Sequence, residues 1–246
     1  MSTIDIKQAL FTVAFSFSCF ISSLFISWQG LVQIDFAYPQ AYEFIDIGGN
    51  IDYYGPQNRF KKHFEKTDAA EHLRVFSEIN QAVHNHGHGL ADIDYRLPSG
   101  AIVDQLLHKA EIVHLQDVAN LIDVLFMVGL ASLVCLGACV VIAKRKGIVV
   151  ASVITQVVAL VIVLVVISAI VIVIGAEKVF YALHIWVFPD EHQWYFFYQD
   201  SLMSTLMKAP DLFAVIAVEI VLLATAIFAL LVYIARRLTT IRPSDS

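Results

Sequence analysis

From Ile148 to Ala176 the chain is an almost unbroken run of Val, Ile, Leu and Ala without one charged side chain. No other feature limits the fold so strongly. About 20 apolar residues suffice to cross the hydrocarbon of a bilayer. In lipid every backbone N–H and C=O must be satisfied within the segment, so such a run has to be helical. Three more apolar segments lie at about 9–27, 121–143 and 212–235. Composition agrees, with 58% hydrophobic residues and a mean hydropathy of +0.70, well above what soluble domains show. The expected fold class is an all-α membrane protein: four transmembrane helices, at about 9–27, 121–143, 148–176 and 212–235, within a single integral membrane domain.

Charge then orients the chain. The link after the second span reads "AKRKG", with Lys144, Arg145 and Lys146, and the tail carries Arg236, Arg237 and Arg242. Basic residues favour the cytoplasmic side. Both termini are therefore expected inside, and loops of about 30–117 and 177–211 outside. The weakly charged start "MSTIDIK", with no A-x-A site after the first span, reads as a retained anchor rather than a signal peptide. A net charge of -6 gives no reason to expect nucleic acid as a partner. Cys19, Cys135 and Cys139 fall inside spans, so no disulfide framework is expected.

The first outer loop holds most of the charge. "FIDIGGNIDYYGPQNRF" reads as turns and short extended pieces. "DAAEHLRVFSEINQAVHN" has helical spacing, with Leu73, Phe76, Ile79 and Val83 on one face. A second helix is expected from near Gly100 through His114 into span two. Together these make a small, mostly helical extracytoplasmic cap. The second outer loop is unusually aromatic and suits the outer interface. Ser16, Ser18, Ser22, Ser23 and Ser27 in span one, and Ala131, Cys135, Cys139 and Ala143 in span two, read as small-residue packing surfaces.

The candidate chemistry begins with a polar stripe. Glu111, His114, Asp117, Asn120 and Asp123 recur every third residue along the helix that becomes span two. Such neighbours touch, so Glu111 and Asp117 are placed to flank His114. A carboxylate beside an imidazole fixes its tautomer and raises its basicity, as an acid/base group needs. Polar groups deeper in the membrane, such as Asp123, are costly unless they face protein or a wet cavity. His184, in "FYALHIWVFP", falls at the same outer level and forms a second imidazole. Glu219, seven residues into span four, must be paired, neutral or facing a cavity; bonding to span-one serines is the structural reading. His84, His86 and His88 would share one side of an extended strand and could hold a metal. Ser201 carries no sign of activation as a nucleophile.

Four spans, a large first outer loop ending in "EIVHLQDV", then "LHIWVFPDEHQW" and "SLMSTLMKAPDLF" resemble the bacterial lipoprotein intramolecular transacylase (Lit) family. The matching residues are Glu111, His114, Asp117 and Val118, then His184 and Phe188, then Trp194, then Pro210 and Phe213. Leu183 stands where the family usually has Phe. The resemblance implies an acyltransferase of the bacterial cytoplasmic membrane, with its site on the extracytoplasmic face and no cofactor or metal. Its partners would be membrane lipid and the diacylglyceryl-modified N-terminus of a lipoprotein. The reaction moves an acyl chain onto the α-amino group of the N-terminal Cys, giving a lyso-form lipoprotein. On this reading His114 is the base, oriented by Glu111 or Asp117, and His184 the oxyanion donor or acid, with the two roles open to reversal. Trp194 and Phe188, with Asp123 and Glu219, would border the substrate. Two other readings remain open: a non-catalytic four-span protein whose His-rich loop binds a metal or partner, and a metal-dependent lipid hydrolase.

Overall fold

The computed structural model describes residues 6–240. Arg242 and the first five residues, used above for orientation and anchoring, lie outside the described residues. The helices are α1 (Ile6–Val32), α2 (Tyr38–Phe44), α3 (Ile47–Tyr54), α4 (Ala69–Val83), α5 (Lys109–Lys146), α6 (Val153–Ile174), α7 (Ala176–Val187), α8 (Leu202–Met207) and α9 (Asp211–Thr240). Strands β1 (Asp94–Arg96) and β2 (Ile102–Gln105) lie between α4 and α5. Four of these helices, α1, α5, α6 and α9, are long and apolar enough to cross a membrane. The chain falls into two compact units.

The first unit comprises residues up to 30, 126–179 and 220 onward. Its core joins Phe15 and Cys19 of α1 to Leu136 and Ala143 of α5, Leu160 of α6 and Phe228, Val232 and Ala235 of α9. The span-one serines serve this packing. Ser16 Oγ donates to Gln156 Oε1 at 2.8 Å, Ser22 bonds Ser132 at 3.0 Å, and Ser27 Oγ donates to the Ile220 carbonyl at 3.1 Å. Small polar residues allow this approach where lipid supplies no competing hydrogen bonds. The packing face of α5 differs from the expected one. Ala131 and Cys135 are exposed, and the seam runs instead through Gly129, Ser132, Leu136, Cys139 and Ala143. That spacing of three and four is the packing period of helices crossing at a shallow angle. Gly129 is required there: a Cβ would lie 2.1 Å from the Phe25 ring. Elsewhere these helices present large apolar side chains outward, such as Val165 and Val173, a surface suited to lipid tails.

The second unit comprises residues 31–125 and 180–219. Its core gathers Tyr38, Ile47, Ile51, Phe64, Val75, Phe76, Ile79, Tyr95, Leu106, Leu202 and Leu206. Tyr38 and Phe76 stack with ring centroids 3.7 Å apart, and the Tyr38 hydroxyl donates to the Leu206 carbonyl at 2.8 Å. Asn50 of α3 donates to the Thr205 carbonyl at 2.8 Å. His72, also in this core, accepts from the Tyr42 hydroxyl on Nδ1 and donates from Nε2 to Thr67. Those bonds hold its neutral form, and burial pushes its pKa down to about 4.

Two local expectations are corrected here. The stretch read as turns and extended pieces, which begins at Phe44, forms α3 and a short 3-10 turn at Gly55–Gln57. The segment around Gly100 begins no helix; it is the turn of a hairpin in which β1 pairs antiparallel with β2. Gly100 sits at φ +82°, a left-handed conformation unsuited to a helix start. Helix α5 begins nine residues later because His108 caps it. The His108 backbone N–H donates to Glu111 Oε2 at 2.7 Å, and its ring Nδ1 accepts from the Ala110 N–H at 3.2 Å. This is the reciprocal arrangement of a capping box, with an imidazole in place of the usual hydroxyl.

Candidate active site

Glu111, one turn into α5, is fully buried and accepts three hydrogen bonds. Besides His108, the Ser201 hydroxyl donates to Oε1 at 2.5 Å and the Met203 N–H at 3.2 Å. Ser201 is the N-cap of α8, accepting from the Ser204 N–H at 2.8 Å while it donates to Glu111. Both lone-pair and proton are thus in use, and the hydroxyl is buried. This carboxylate therefore clamps the start of α5 to the start of α8.

One turn on, His114 is 8% exposed, with Nδ1 buried and without a hydrogen-bond partner. Its ring centroid lies 6.3 Å from that of His184, 5.1 Å from Phe188 and 6.0 Å from Phe196. His184 comes from α7, which starts anew after Gly175 breaks α6 at φ +98°. Within α7 the His184 Nδ1 lies 2.8 Å from the Phe180 carbonyl. A carbonyl only accepts, so Nδ1 carries the proton and Nε2 presents a lone pair. Burial pushes the His184 pKa down, opposed in part by that carbonyl. Phe180, Phe188 and Trp194 pack on this ring at centroid distances of 3.9, 5.3 and 4.8 Å. The result is a pair of imidazoles walled by aromatic faces, one with a fixed tautomer.

The rest of the stripe does other work. Among the described residues no carboxylate hydrogen-bonds to His114, so the expected bracing by Glu111 or Asp117 is replaced. Asp117 Oδ2 instead meets His192 Nδ1 at 2.6 Å. Asp123 Oδ2 meets His86 Nδ1 at 2.8 Å, and Gln116 Nε2 donates to the His86 carbonyl at 3.0 Å and to Asn120. Polar residues on this face are thus occupied by two segments that dock on α5.

Of the residues singled out from sequence, His114, His184, Phe188 and Trp194 come together. Glu111 stands one turn behind as a clamp, Asp117 one turn ahead as an anchor. Asp123 is engaged by His86. Glu219 has Oε2 buried without a partner, and the span-one serines bond other groups. His84, His86 and His88 form no shared metal face. They lie in turns rather than a strand, with His84 Nδ1 bonded to the Asn80 carbonyl, and no cluster of three metal-binding side chains occurs among the described residues. Sequence reasoning missed Phe180, Phe196, His108 and His192. The "PDEHQW" stretch, charged inside an aromatic loop, was the available sign for His192.

Comparison with known proteins bears on this arrangement. A family model described as Lipoprotein intramolecular transacylase Lit matches residues 9–209. Solved structures of the membrane-integral lipoprotein intramolecular transacylase Lit from Bacillus cereus share the fold. One, with a histidine replaced by arginine, is 17% identical, covers 94% of this chain and 92% of its own, and has a TM-score of 0.65. Another is 18% identical, with 96% and 97% coverage and a TM-score of 0.63. A third, with a histidine replaced by alanine, is 17% identical, with 94% and 93% coverage and a TM-score of 0.64. No curated protein matches.

Proposed function

The chain belongs to the lipoprotein intramolecular transacylase Lit family, a multi-pass membrane protein acting on lipoproteins, and from that premise we propose a mechanism and a place for it. It moves an acyl chain from the diacylglyceryl group to the α-amino group of the N-terminal Cys, at the outer face of the bacterial cytoplasmic membrane. The observation that carries this reading is the His114–His184 pair, 6.3 Å between centroids, with the His184 tautomer set by the Phe180 carbonyl.

Each step has a group to perform it. The substrate amine attacks the ester carbonyl, a C–N bond forms, and the carbonyl oxygen takes up negative charge. His184 Nε2 holds the lone pair and accepts the amine proton. An orphaned buried N–H is rarer than an orphaned acceptor, which favours a His114 tautomer with its proton on Nε2. His114 then donates to the oxyanion. When the C–O bond breaks, His184 returns its proton to the glycerol oxygen. The base is thus His184 and the donor His114, the reverse of the first expectation. No protein nucleophile is needed, because the amine comes with the substrate. Depth supports the reading too. His114 precedes the apolar run at Leu121 by two helical turns, roughly 10 Å, near the level of a lipid's glycerol esters.

The test is expression in a host whose lipoproteins keep a free N-terminus, followed by mass spectrometry of N-terminal lipopeptides. The native chain yields an N-acyl product. His184→Ala and His114→Ala each cut the rate by about 10²–10³ while the protein stays inserted. No N-acyl product from correctly inserted native protein overturns the reading.

A further inference from the structure

We propose that His192 is a positioning residue: by pairing with Asp117 it holds the aromatic segment Phe188–Tyr195 on α5, so that the walls around the two imidazoles stay seated. The proposal rests on the reading of His114 and His184 as the reacting pair.

Between α7 and α8 the chain has no regular structure from Phe188 to Ser201. Its second half is well fastened. The Arg59 N–H donates to the Gln199 carbonyl at 2.8 Å, and Arg59 Nε reaches Asp200 at 3.3 Å. His108 Nε2 lies 3.1 Å from the Asp200 carbonyl, and the Tyr198 hydroxyl donates to the Ala209 carbonyl at 2.6 Å. The first half is held differently. His192 N–H to the Pro189 carbonyl, at 3.1 Å, and Gln193 to the Tyr195 carbonyl, at 3.0 Å, shape the segment without tying it to another element. The tie to α5 is His192 Nδ1 with Asp117 Oδ2, at 2.6 Å. That length suits a charge-assisted bond.

Its placement gives it leverage. Asp117 follows His114 by three residues, so the tie is one turn from the reacting ring and on the same face. On the segment, His192 stands between Phe188, packed on His114, and Trp194, packed on His184. Asp117 is 13% exposed at its side chain and His192 37%. A pair this open adds little to global stability. On an irregular segment, though, the same interaction shifts the seated fraction by about fivefold. The rings themselves ride on α5 and α7 and do not depend on it. Loss of the tie therefore weakens substrate binding against the aromatic walls and leaves the chemical step.

Steady-state kinetics on a synthetic diacylglyceryl lipopeptide tests this, together with acrylamide quenching of Trp194 in a background with Trp28→Phe and Trp186→Phe. His192→Ala raises KM roughly fivefold, keeps kcat within about twofold, and makes Trp194 more quenchable. The swapped pair, Asp117→His with His192→Asp, restores both. A fall in kcat at unchanged KM, unaltered quenching, or a swapped pair no better than His192→Ala overturns the proposal. If the native protein transfers no acyl chain, the functional reading fails, while the quenching still decides whether the tie holds the segment.

Discussion

Replacing Glu111 with Ala isolates the clamp from the chemistry. The side chain is fully buried and satisfies the Ser201 hydroxyl and the His108 and Met203 N–H groups. Removing it leaves three donors, two of them in buried residues, facing a void. Each unsatisfied donor costs about 1–3 kcal/mol. Local relaxation and water reaching His108 trim the sum to about 3–5 kcal/mol, a large part of a typical stability. Glu111→Gln still accepts at one oxygen but turns an amide N–H toward the His108 N–H, for about 1–3 kcal/mol. Hydrogen exchange in detergent micelles, resolved by mass spectrometry, reads this locally. Opening free energies fall at α8, so its amides lose protection by at least about 10² in the Ala variant and about tenfold in the Gln variant. Amides of α5 from 129 to 143, in the other unit, keep theirs. Acyl transfer declines in step with α8 protection. Lost activity with α8 protection intact would refute the clamp and return Glu111 to the reaction itself.

His72 should make stability fall in acid: its folded pKa, about 4, lies below the ordinary 6.5, so the unfolded chain binds more protons between those values. The contribution is whole above about pH 6.5 and shrinks as pH drops toward 4. Thermal unfolding at pH 7.5 and 4.5 should therefore differ by up to about 2–3 kcal/mol in native protein, and His72→Gln should flatten the change. The base role of His184 predicts an acidic limb in kcat centred below pH 6.5, since burial lowers its pKa; a lipopeptide rate profile with no such limb in native protein, or the same limb in His184→Ala, contradicts it. Gly129→Ala drives a methyl into the Phe25 ring, at 2.1 Å, and should cost about 1–3 kcal/mol in thermal unfolding; Gly129→Ala with Phe25→Ala should recover much of it. Saturating chelator should leave acyl transfer unchanged.

How much of this was legible depended on range. The spans announced themselves because lipid leaves a helix no alternative: the runs at about 9–27, 121–143 and 212–235 sit inside α1, α5 and α9, while of the run at 148–176 only Val153–Ile174 forms α6. His114 and His184 stood out because titratable groups beside apolar runs are rare. Their meeting could be conjectured from depth alone. What failed needed long-range information. Gly100 looked like a helix start until the hairpin claimed it, because a strand of four residues declares itself only through its partner. The cap made by His108 was missed, since imidazole is an uncommon cap. The Asp117–His192 bond joins residues 75 apart in sequence, and no local spacing encodes it. The stripe was read as polar, but where its carboxylates place their hydrogen bonds could not be seen, because the partners, His192, His86 and Ser201, come from distant segments.

The short non-helical link at 147–152 separates the two imidazoles in the order of synthesis. On the proposed mechanism, a nascent chain that has passed the ribosome only as far as α6 holds His114 but no counterpart, and is expected to transfer no acyl chain. Transfer is expected only once the chain through α8 has been made, because His184 and the Ser201 and Met203 partners of Glu111 all follow that link. The same arithmetic makes the molecule divisible: fragments ending and beginning within that link, made from separate messages, should each be inert and regain transfer when they assemble in one bilayer.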